Sequence, residues 1–344
     1  MVPGQPLVVA TDPGRGVQGV LRRSLRGTQR ARSSKMNHSL IRPGRLEDLP
    51  ELQRLHAECL RSYYYDDLGD SEEPELIRGM NAVFVDRDTD RLKGFVAFDR
   101  VRRSQALPDS APSKVPLRAA AISSPGPAGR SHFRALFEHT HRQLPLQSQG
   151  YLFYALTRQG WLRASLKESG FDQCDAVRFY ERRSSEVEPV SQPAALRPAQ
   201  PSDLPQLAKL DAAAFEPLWH MGVSELLQLQ RDCRIEIAEA AETMVGYSAL
   251  RLIADGSRPG TGSAQLVRLA VHPGAQTRGV GRQLLAASLC RATDLGFGRV
   301  FLNTQESNMP SQNLYESLQF RRRGRAVPVF VKRVEQGQAK KPAQ

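Results

Sequence analysis

The chain repeats itself. Ile41-Arg42-Pro43, followed by Asp48-Leu49-Pro50-x-Leu52, returns as Leu196-Arg197-Pro198, followed by Asp203-Leu204-Pro205-x-Leu207. Lys93-Gly94-Phe95 returns as Val245-Gly246-Tyr247, and Gly170-Phe171 as Gln319-Phe320. The offsets of 155, 152 and 149 residues drift as loop lengths drift, so the fold is one unit built twice. A length of 344 residues suits two domains. The repeat sets the expected boundaries: a disordered basic tail at 1–36, a first copy at 37–183, a linker at 184–194, a second copy at 195–334 and a disordered tail at 335–344. Residues 1–35 hold seven Arg and Lys against Asp12 and no periodic apolar positions, so they cannot bury a core. They lack the apolar centre of a secretory signal, and a transit peptide is the alternative to a plain tail. The linker SSEVEPVSQP is polar and carries proline.

Within the copies, helix and strand signals alternate. Leu40 to Pro43 reads as a short strand. Asp48 is the expected N-cap of a helix with Pro50 in its first turn and Leu52, Leu55 and Cys59 on its face. Residues 81–85 and 93–98 read as paired strands. In the second copy Leu266, Leu269 and Val271 alternate around Arg268 as a strand, and His272-Pro273-Gly274 breaks it. Gln276-Thr277-Arg278-Gly279-Val280-Gly281 then feeds a helix at 282–295, whose apolar face is Leu284, Leu285, Leu289 and Ala292.

A glycine-bearing turn at a helix N-terminus suits an anion, because free N–H groups and the helix dipole point at it. A P-loop would need Lys-Ser/Thr after its last glycine, and Arg282-Gln283 stands there. A dinucleotide fingerprint would need a third glycine at position 284 and an acid ending the next strand. The chain has Leu284 and Asn303. Positive charge at a helix start opposes the dipole, so Arg278 and Arg282 point to an anionic ligand.

Composition closes other routes. No apolar run approaches a membrane span. Cys59, Cys174, Cys233 and Cys290 are scattered, and His139 and His141 lie two apart on a helix, so neither a metal site nor a disulfide framework is expected. Free cysteines suit a cytoplasmic location. The net charge is +12, yet half the excess sits on the first 35 residues and no recognised reading motif is present, so nucleic acid is not the expected partner.

The stretch Gln276-x-x-Gly279-x-Gly281 after a strand resembles the acyl-CoA loop of the GNAT N-acetyltransferase superfamily. Downstream, Leu302-Asn303-Thr304-Gln305-Glu306-Ser307-Asn308 and Asn313-Leu314-Tyr315-Glu316-Ser317-Leu318-Gln319-Phe320 resemble that superfamily's ending, with Gln319 where glycine is usual. The second copy is similar to ribosomal-protein alanine N-acetyltransferases, including Phe215-x-x-x-Trp219. The tandem arrangement is similar to mycothiol synthases. The resemblance implies an α/β protein with a mixed (α+β) sheet, two tandem GNAT folds of which the first is degenerate. Ile122 to Arg130 places two prolines where pyrophosphate N–H groups belong, and Leu166 falls where Tyr315 does.

The resemblance further implies acetyl-CoA as cosubstrate, no metal, and direct attack by a primary amine in a ternary complex. The acceptor is a small molecule or a protein N-terminus. Leu269, Ala270 and Val271 would pair with pantetheine. The backbone from Gln276, Thr277, Arg278, Gly279, Val280 and Gly281 to Arg282 would hold pyrophosphate, and Asn308 would contact the cofactor or cap its helix. Phe215 and Trp219 would border the acceptor or belong to the core. Tyr315 would be the general acid, since a phenol stays protonated until the departing thiolate demands the proton. The general base is open. Asn303 replaces the glutamate of the alanine acetyltransferases and cannot accept a proton, which leaves Glu306, Glu216, His220 or ordered water. The rival of another class is a CoA-binding sensor or regulatory module without turnover.

Overall fold

The computed structural model describes residues 39–64, 80–86, 91–99, 112–144, 150–183, 187, 190–254 and 262–335. The N-terminal tail, the C-terminal tail beyond 335 and part of the linker lie outside them. The chain divides into two compact units, one of 7–99 with 117–144, the other of 1–6, 100–116 and 145–344.

The smaller unit holds strands β1 (Ser39–Arg42), β2 (Ser62–Tyr64), β3 (Met80–Asp86), β4 (Arg91–Phe98) and the second part of β5 (Ser113–Ile122). Their order is β1-β3-β4-β5, all antiparallel, with β2 against β5. Helix α1 (Leu49–Glu58) buries Leu52 and Leu55 on Val83, Phe95 and Ala121. Helix α2 (Gly126–His141) packs on β3 and β4. Only three residues separate β5 from α2, and they include Pro125, with Pro127 in the first helical turn. The first copy therefore has no loop of donors at this helix start.

The larger unit contains β6 (Tyr151–Leu156), α3 (Gly160–Glu168), β7 (Asp172–Arg183), β8 (Ala195–Pro198), α4 (Leu204–Ala214), α5 (Val223–Asp232), β9 (Arg234–Ala240), β10 (Thr243–Ala254), β11 (Gly262–Val271), α6 (Val280–Asp294), β12 (Arg299–Gln305), α7 (Met309–Ser317) and β13 (Arg321–Val334). Here the strand order is β6-β13-β7-β12-β11-β10-β9-β8, with Ser113–Pro116 of β5 parallel to β6. One face is covered by α4 and α5, which bury Leu207, Leu210, Leu226 and Leu229 on Ile237, Tyr247 and Ala270. The other is covered by α6 and α7, with Leu285, Leu289 and Leu318 on Leu266, Val300 and Leu302.

The last strand of each copy is exchanged. The first copy's β7 lies antiparallel to β12 along its whole length, Arg183↔Arg299 to Val177↔Gln305. The second copy's β13 pairs with β6 from Val329↔Leu156 to Val334↔Tyr151, and with β7. Residues 145–183 of the first copy therefore group with the second.

The duplication is visible atom by atom. Arg42 holds Asp48 through two bonds of 2.7 Å, and Arg197 holds Asp203 at 2.7 and 3.0 Å. Each aspartate also accepts a backbone N–H three residues back, from Arg45 and from Gln200. Asp48 thus stands at the N-cap position of α1, but its carboxylate serves the preceding 3-10 turn, not the helix. Burial would raise its pKa, and the bonds from Arg42 and Arg45 outweigh that and lower it. Gly94 and Gly246 recur because a helix crosses each. A Cβ at Gly246 would meet Ala270 O at 2.8 Å and Leu284 at 3.1 Å, and one at Gly94 would meet Ile122 at 3.0 Å and Leu136 at 3.3 Å.

Helices α3 and α7 end alike, with Phe171 N–H on Leu166 O and Phe320 N–H on Tyr315 O, each 3.0 Å. This closure needs a left-handed residue before the phenylalanine. Gly170 takes φ +80° without cost, whereas Gln319 takes φ +66° with a Cβ. Gln319→Gly is expected to raise stability by about 1 kcal/mol, read by denaturant unfolding.

Candidate functional site

Two defects in the second copy's sheet open the site. The parallel pairing of β11 with β12 covers only Ala264↔Val300 to Leu266↔Leu302, after which the strands part. Between Ala249 and Leu250 the β10·β11 register slips by one, leaving Val267 as an extra residue. Because of that bulge, Val267 and Arg268 both turn to the α4 face. Beyond it Leu269, Ala270 and Val271 stay paired to Ser248, Tyr247 and Gly246 on one edge. On the other edge, no strand among the described residues completes them.

A buried network braces this opening. Asp211 of α4, fully buried, takes Arg268 Nε at 2.8 Å and Nη2 at 2.7 Å, Tyr247 OH at 2.6 Å and Met221 N–H at 2.7 Å. Arg268 also donates to Trp219 O at 2.6 Å, and its guanidinium lies 3.6 Å from the Phe215 ring centre. Burial opposes the Arg268 charge, and the Asp211 carboxylate more than offsets it, so the pKa rises. The segment 215–221 is thereby fixed over the bulge. Phe215 and Trp219, both half-buried, are held there by ring and by carbonyl.

In the same segment His220 is 6 % exposed, and its Nε2 lies 2.7 Å from Phe215 O. A carbonyl only accepts, so Nε2 carries the proton and Nδ1 keeps its lone pair. Nδ1 is buried without a hydrogen-bond partner among the described residues. Lys114 reaches the same place, donating to His220 O and pairing with Glu225 at 2.9 Å.

Tyr315 is 5 % exposed in the α7-side core, 5.9 Å from the Tyr180 ring and 6.1 Å from the Phe320 ring. Burial pushes its pKa up to about 12, against the lowering effects of a Ser311 hydrogen bond and the Arg268 charge. Tyr180 belongs to the exchanged strand β7. Its hydroxyl meets Gln312 Oε1 at 3.2 Å and Glu316 Oε1 at 3.1 Å, which fixes α7. Two more β7 residues hold the β12–α7 loop. Arg178 pairs with Glu306, and Asp175 takes Ser307 Oγ at 2.5 Å. Glu306 is thus committed to an arginine. Asn303 lies on β12 opposite Phe179. Glu216 is exposed, and with burial and Asp175 its charge raises the pKa of Cys174 near the start of β7.

Eight residues, 272–279, link β11 to α6. His272 Nδ1 caps the first of them by accepting Gly274 N–H at 3.2 Å. Thr277 and Gly279 take φ +64° and +88°. The first helical bond runs from Gln283 N–H to Gly279 O, so the N–H groups of Val280, Gly281 and Arg282 precede it and lack an acceptor within the helix. Gln276, Thr277 and Arg278 are exposed. Gln276 Nε2 folds back onto Val271 O at 3.2 Å. Arg282 Nη1 donates to Ser317 Oγ at 3.0 Å. A Cβ at Gly281 would point to Leu314 at 3.4 Å and Val271 at 3.5 Å, at the mouth of the opening. The linker anchors here too, since Gln283 bonds both Ala194 N–H and Ala194 O. Asn308 Oδ1 caps α7 through Ser311 N–H at 3.1 Å, which leaves only its amide hydrogens for a ligand.

The strand edge 269–271 and the loop 276–282 thus follow one another where β11 and β12 part, Phe215 and Trp219 lie on the α4 side through Arg268, and Tyr315 is buried in the core on the α7 side. Asp211, Tyr247, Asp175, Arg178 and Tyr180 were not read as site residues from the sequence. Asp211 alone had a signal, an acid four residues after Leu207 on an apolar helix face. Among the described residues no group of His, Cys, Asp and Glu is arranged for a metal, and no helix is long and apolar enough to cross a membrane.

Residues 204–320 match the Acetyltransferase (GNAT) family. A mycothiol acetyltransferase of Nocardia farcinica is 30 % identical over 137 residues, which cover 36 % of this chain and 43 % of that protein. The match therefore spans less than half of that relative. A GCN5-related N-acetyltransferase from Sphaerobacter thermophilus superposes with a TM-score of 0.53 at 14 % identity, covering 88 % of this chain and 98 % of the other. A tandem GNAT protein from the clavulanic acid biosynthesis pathway gives 0.52 at 14 %, covering 86 % and 98 %. A GCN5-related N-acetyltransferase from Anabaena variabilis gives 0.56 at 9 %, covering 86 % and 72 %. At these identities the structures establish a shared fold.

Removing Asp211 strands the Arg268 charge in the core. Asp211→Ala is expected to cost roughly 3–5 kcal/mol in denaturant unfolding, far more than an exposed acid such as Glu216→Ala.

Proposed function

We propose that this chain, a tandem GNAT-family protein with its acetyltransferase match at residues 204–320, transfers acetyl from acetyl-CoA to a primary amine in its second copy. The observation that carries the reading is the unpaired edge of β11 at Leu269–Val271, with a buried phenol beside it and a helix-start loop beyond its end. Pantetheine amides add to that edge as a strand would. The N–H groups from Thr277 to Arg282 hold the pyrophosphate, that of Gln276 being donated to Pro273 O, with Arg278 and Arg282 supplying positive charge and the Asn308 amide a further donor. Residues of this kind fit a phosphorylated cofactor, and the chemistry asks for no metal.

The amine enters on the α4 side, past Phe215 and Trp219. His220 Nδ1 takes its proton, directly or through one water. Of the four base candidates this is the one with a buried, unpartnered lone pair. The nitrogen pair attacks the acetyl carbonyl, the C–S bond breaks with its electrons on sulfur, and Tyr315 protonates the thiolate. The acceptor is a small amine or a protein N-terminus, and the scattered free cysteines favour a cytoplasmic setting. A CoA-binding module without turnover is the second reading, favoured by Asn303 and opposed by Tyr315, whose phenol is retained in the core.

Calorimetric titration with acetyl-CoA is expected to give one molecule bound per chain, lost in Gly281→Asp, whose carboxylate would face the pyrophosphate. Two molecules per chain would mean that the first copy also binds; none would overturn the enzyme reading. In amine-dependent thiol release, Tyr315→Phe and His220→Gln are each expected to lower kcat about 100-fold or more with acetyl-CoA affinity kept. A phenol at about 12 stays protonated until strongly alkaline pH, so kcat of the wild type shows no loss from this group below about pH 11. Unchanged rates in Tyr315→Phe would remove the acid role, and in His220→Gln the base role.

A further inference from the structure

The two copies differ at one strand edge. In the second, β10 pairs with β11 from Gly246↔Val271 to Ala249↔Arg268, then slips by one to Leu250↔Leu266. In the first, β4 pairs with β5 from Gly94↔Ile122 to Ala97↔Ala119, then slips by one to Phe98↔Leu117. Ala119 therefore stands where Arg268 does, and Ala120, Ala121 and Ile122 where Leu269, Ala270 and Val271 do. Bonding alternates along an antiparallel pair. His272 N–H bonds Val245 O, and Ser123 N–H bonds Lys93 O. Leu269 and Val271 thus turn their N–H groups away from β10, as Ala120 and Ile122 turn theirs away from β4.

In the first copy that edge is taken. Strand β2 pairs along it, Ser62↔Ala121 to Tyr64↔Ala119, and Ile122 N–H bonds Arg61 O at 3.1 Å. Arg61 Nε and Cys59 Sγ donate to Ile122 O at 3.1 and 3.0 Å. The covering chain is the segment that leaves α1, and its counterpart, leaving α4, is 215–221. There Arg268 holds the segment on the α4 side by the Trp219 carbonyl and the Phe215 ring, while Asp211 takes Met221 N–H. Neither holder recurs in the first copy. Ala119 replaces Arg268, and the eighth residue after Asp48 is His56, where the eighth after Asp203 is Asp211.

We infer that the Asp211–Arg268 pair is a catch that keeps 215–221 off the Leu269–Val271 edge, which that segment would otherwise cover as 61–64 covers Ala119–Ile122. The inference rests on the reading that this edge takes pantetheine. A bare strand edge pairs with extended chain within reach, and Arg268 both adjoins the edge and grips the segment. The two residues are positioning residues for the cofactor, without contact to it.

The test is hydrogen exchange at the Leu269 and Val271 amides, with calorimetry of acetyl-CoA binding, on the wild type and on Asp211→Asn/Arg268→Ala. The double variant strands no charge, and the new side chain at 211 still accepts from Tyr247 and Met221. In the ligand-free wild type the two amides are expected to exchange faster than those of Ala120 and Ile122. In the variant, with circular dichroism unchanged, an edge left bare in about one molecule in ten slows these amides and weakens acetyl-CoA binding, each about tenfold. Amides that stay fast would overturn the catch, whether or not affinity falls. If the wild type binds no acetyl-CoA, the pantetheine reading fails, and slowed amides in the variant still support the catch. Should the double variant not fold, Arg268→Lys keeps the charge beside Asp211 and gives up the second arm on Trp219 O. It is expected to slow the same amides to a smaller extent, and unchanged exchange there would overturn the catch equally.

Discussion

The antiparallel pairing of β7 with β12 is the contact on which the second copy's site depends. Beyond Leu302, β12 has left β11, and a strand with one open edge and no second partner is poorly held. β7 supplies that partner for all seven residues of β12, and it comes from the other copy. Its side chains then reach past the sheet. Tyr180 fixes α7 through Gln312 and Glu316, Arg178 secures Glu306, and Asp175 secures Ser307. The first copy lacks the loop and the phenol, yet its last strand forms a wall of the site. Its retention needs no second cofactor to explain it.

The opening itself is maintained by electrostatics in a dry place. A split sheet would tend to close through its own unpaired N–H and C=O groups. The bulge at Val267 turns Arg268 into the core, where Asp211, Tyr247 and the Trp219 carbonyl satisfy it. Strand, helix α4 and the 215–221 segment are thereby locked in one geometry. The same burial that makes Asp211–Arg268 costly to disturb raises the pKa of the Tyr315 phenol, against the lowering effect of the Arg268 charge. At the loop end the logic reverses. Gln276, Thr277 and Arg278 stand exposed there, and Arg282 is half-buried.

Much of this was legible in the residues. The repeated Arg-Pro and Asp-Leu-Pro words marked two copies, and each turned out to be an arginine–aspartate pair closing a 3-10 turn. Alternating apolar residues marked β11, and the glycines marked a helix start whose donors are free. Such features are local, because period, capping and turn chemistry act within a few residues of chain. Gln319 is instructive here, since its left-handed backbone was implied by the glycine of the first copy's matching turn.

What tertiary structure alone decided is which strands meet and which part. The exchange of β7 and β13 joins residues more than a hundred positions apart, and both candidate partners for β12 carry similar alternation, so pattern cannot choose between them. The length of the β11–β12 pairing, the bulge that turns Arg268 inward and the burial that raises Tyr315 are likewise matters of long-range packing. By itself the sequence carried the duplication, the alternation of helix and strand signals and the open N-terminus of α6. The three-dimensional fold decided that the first copy's last strand pairs with the second copy's β12, because strand pairing is settled by long-range packing and not by neighbours in the chain.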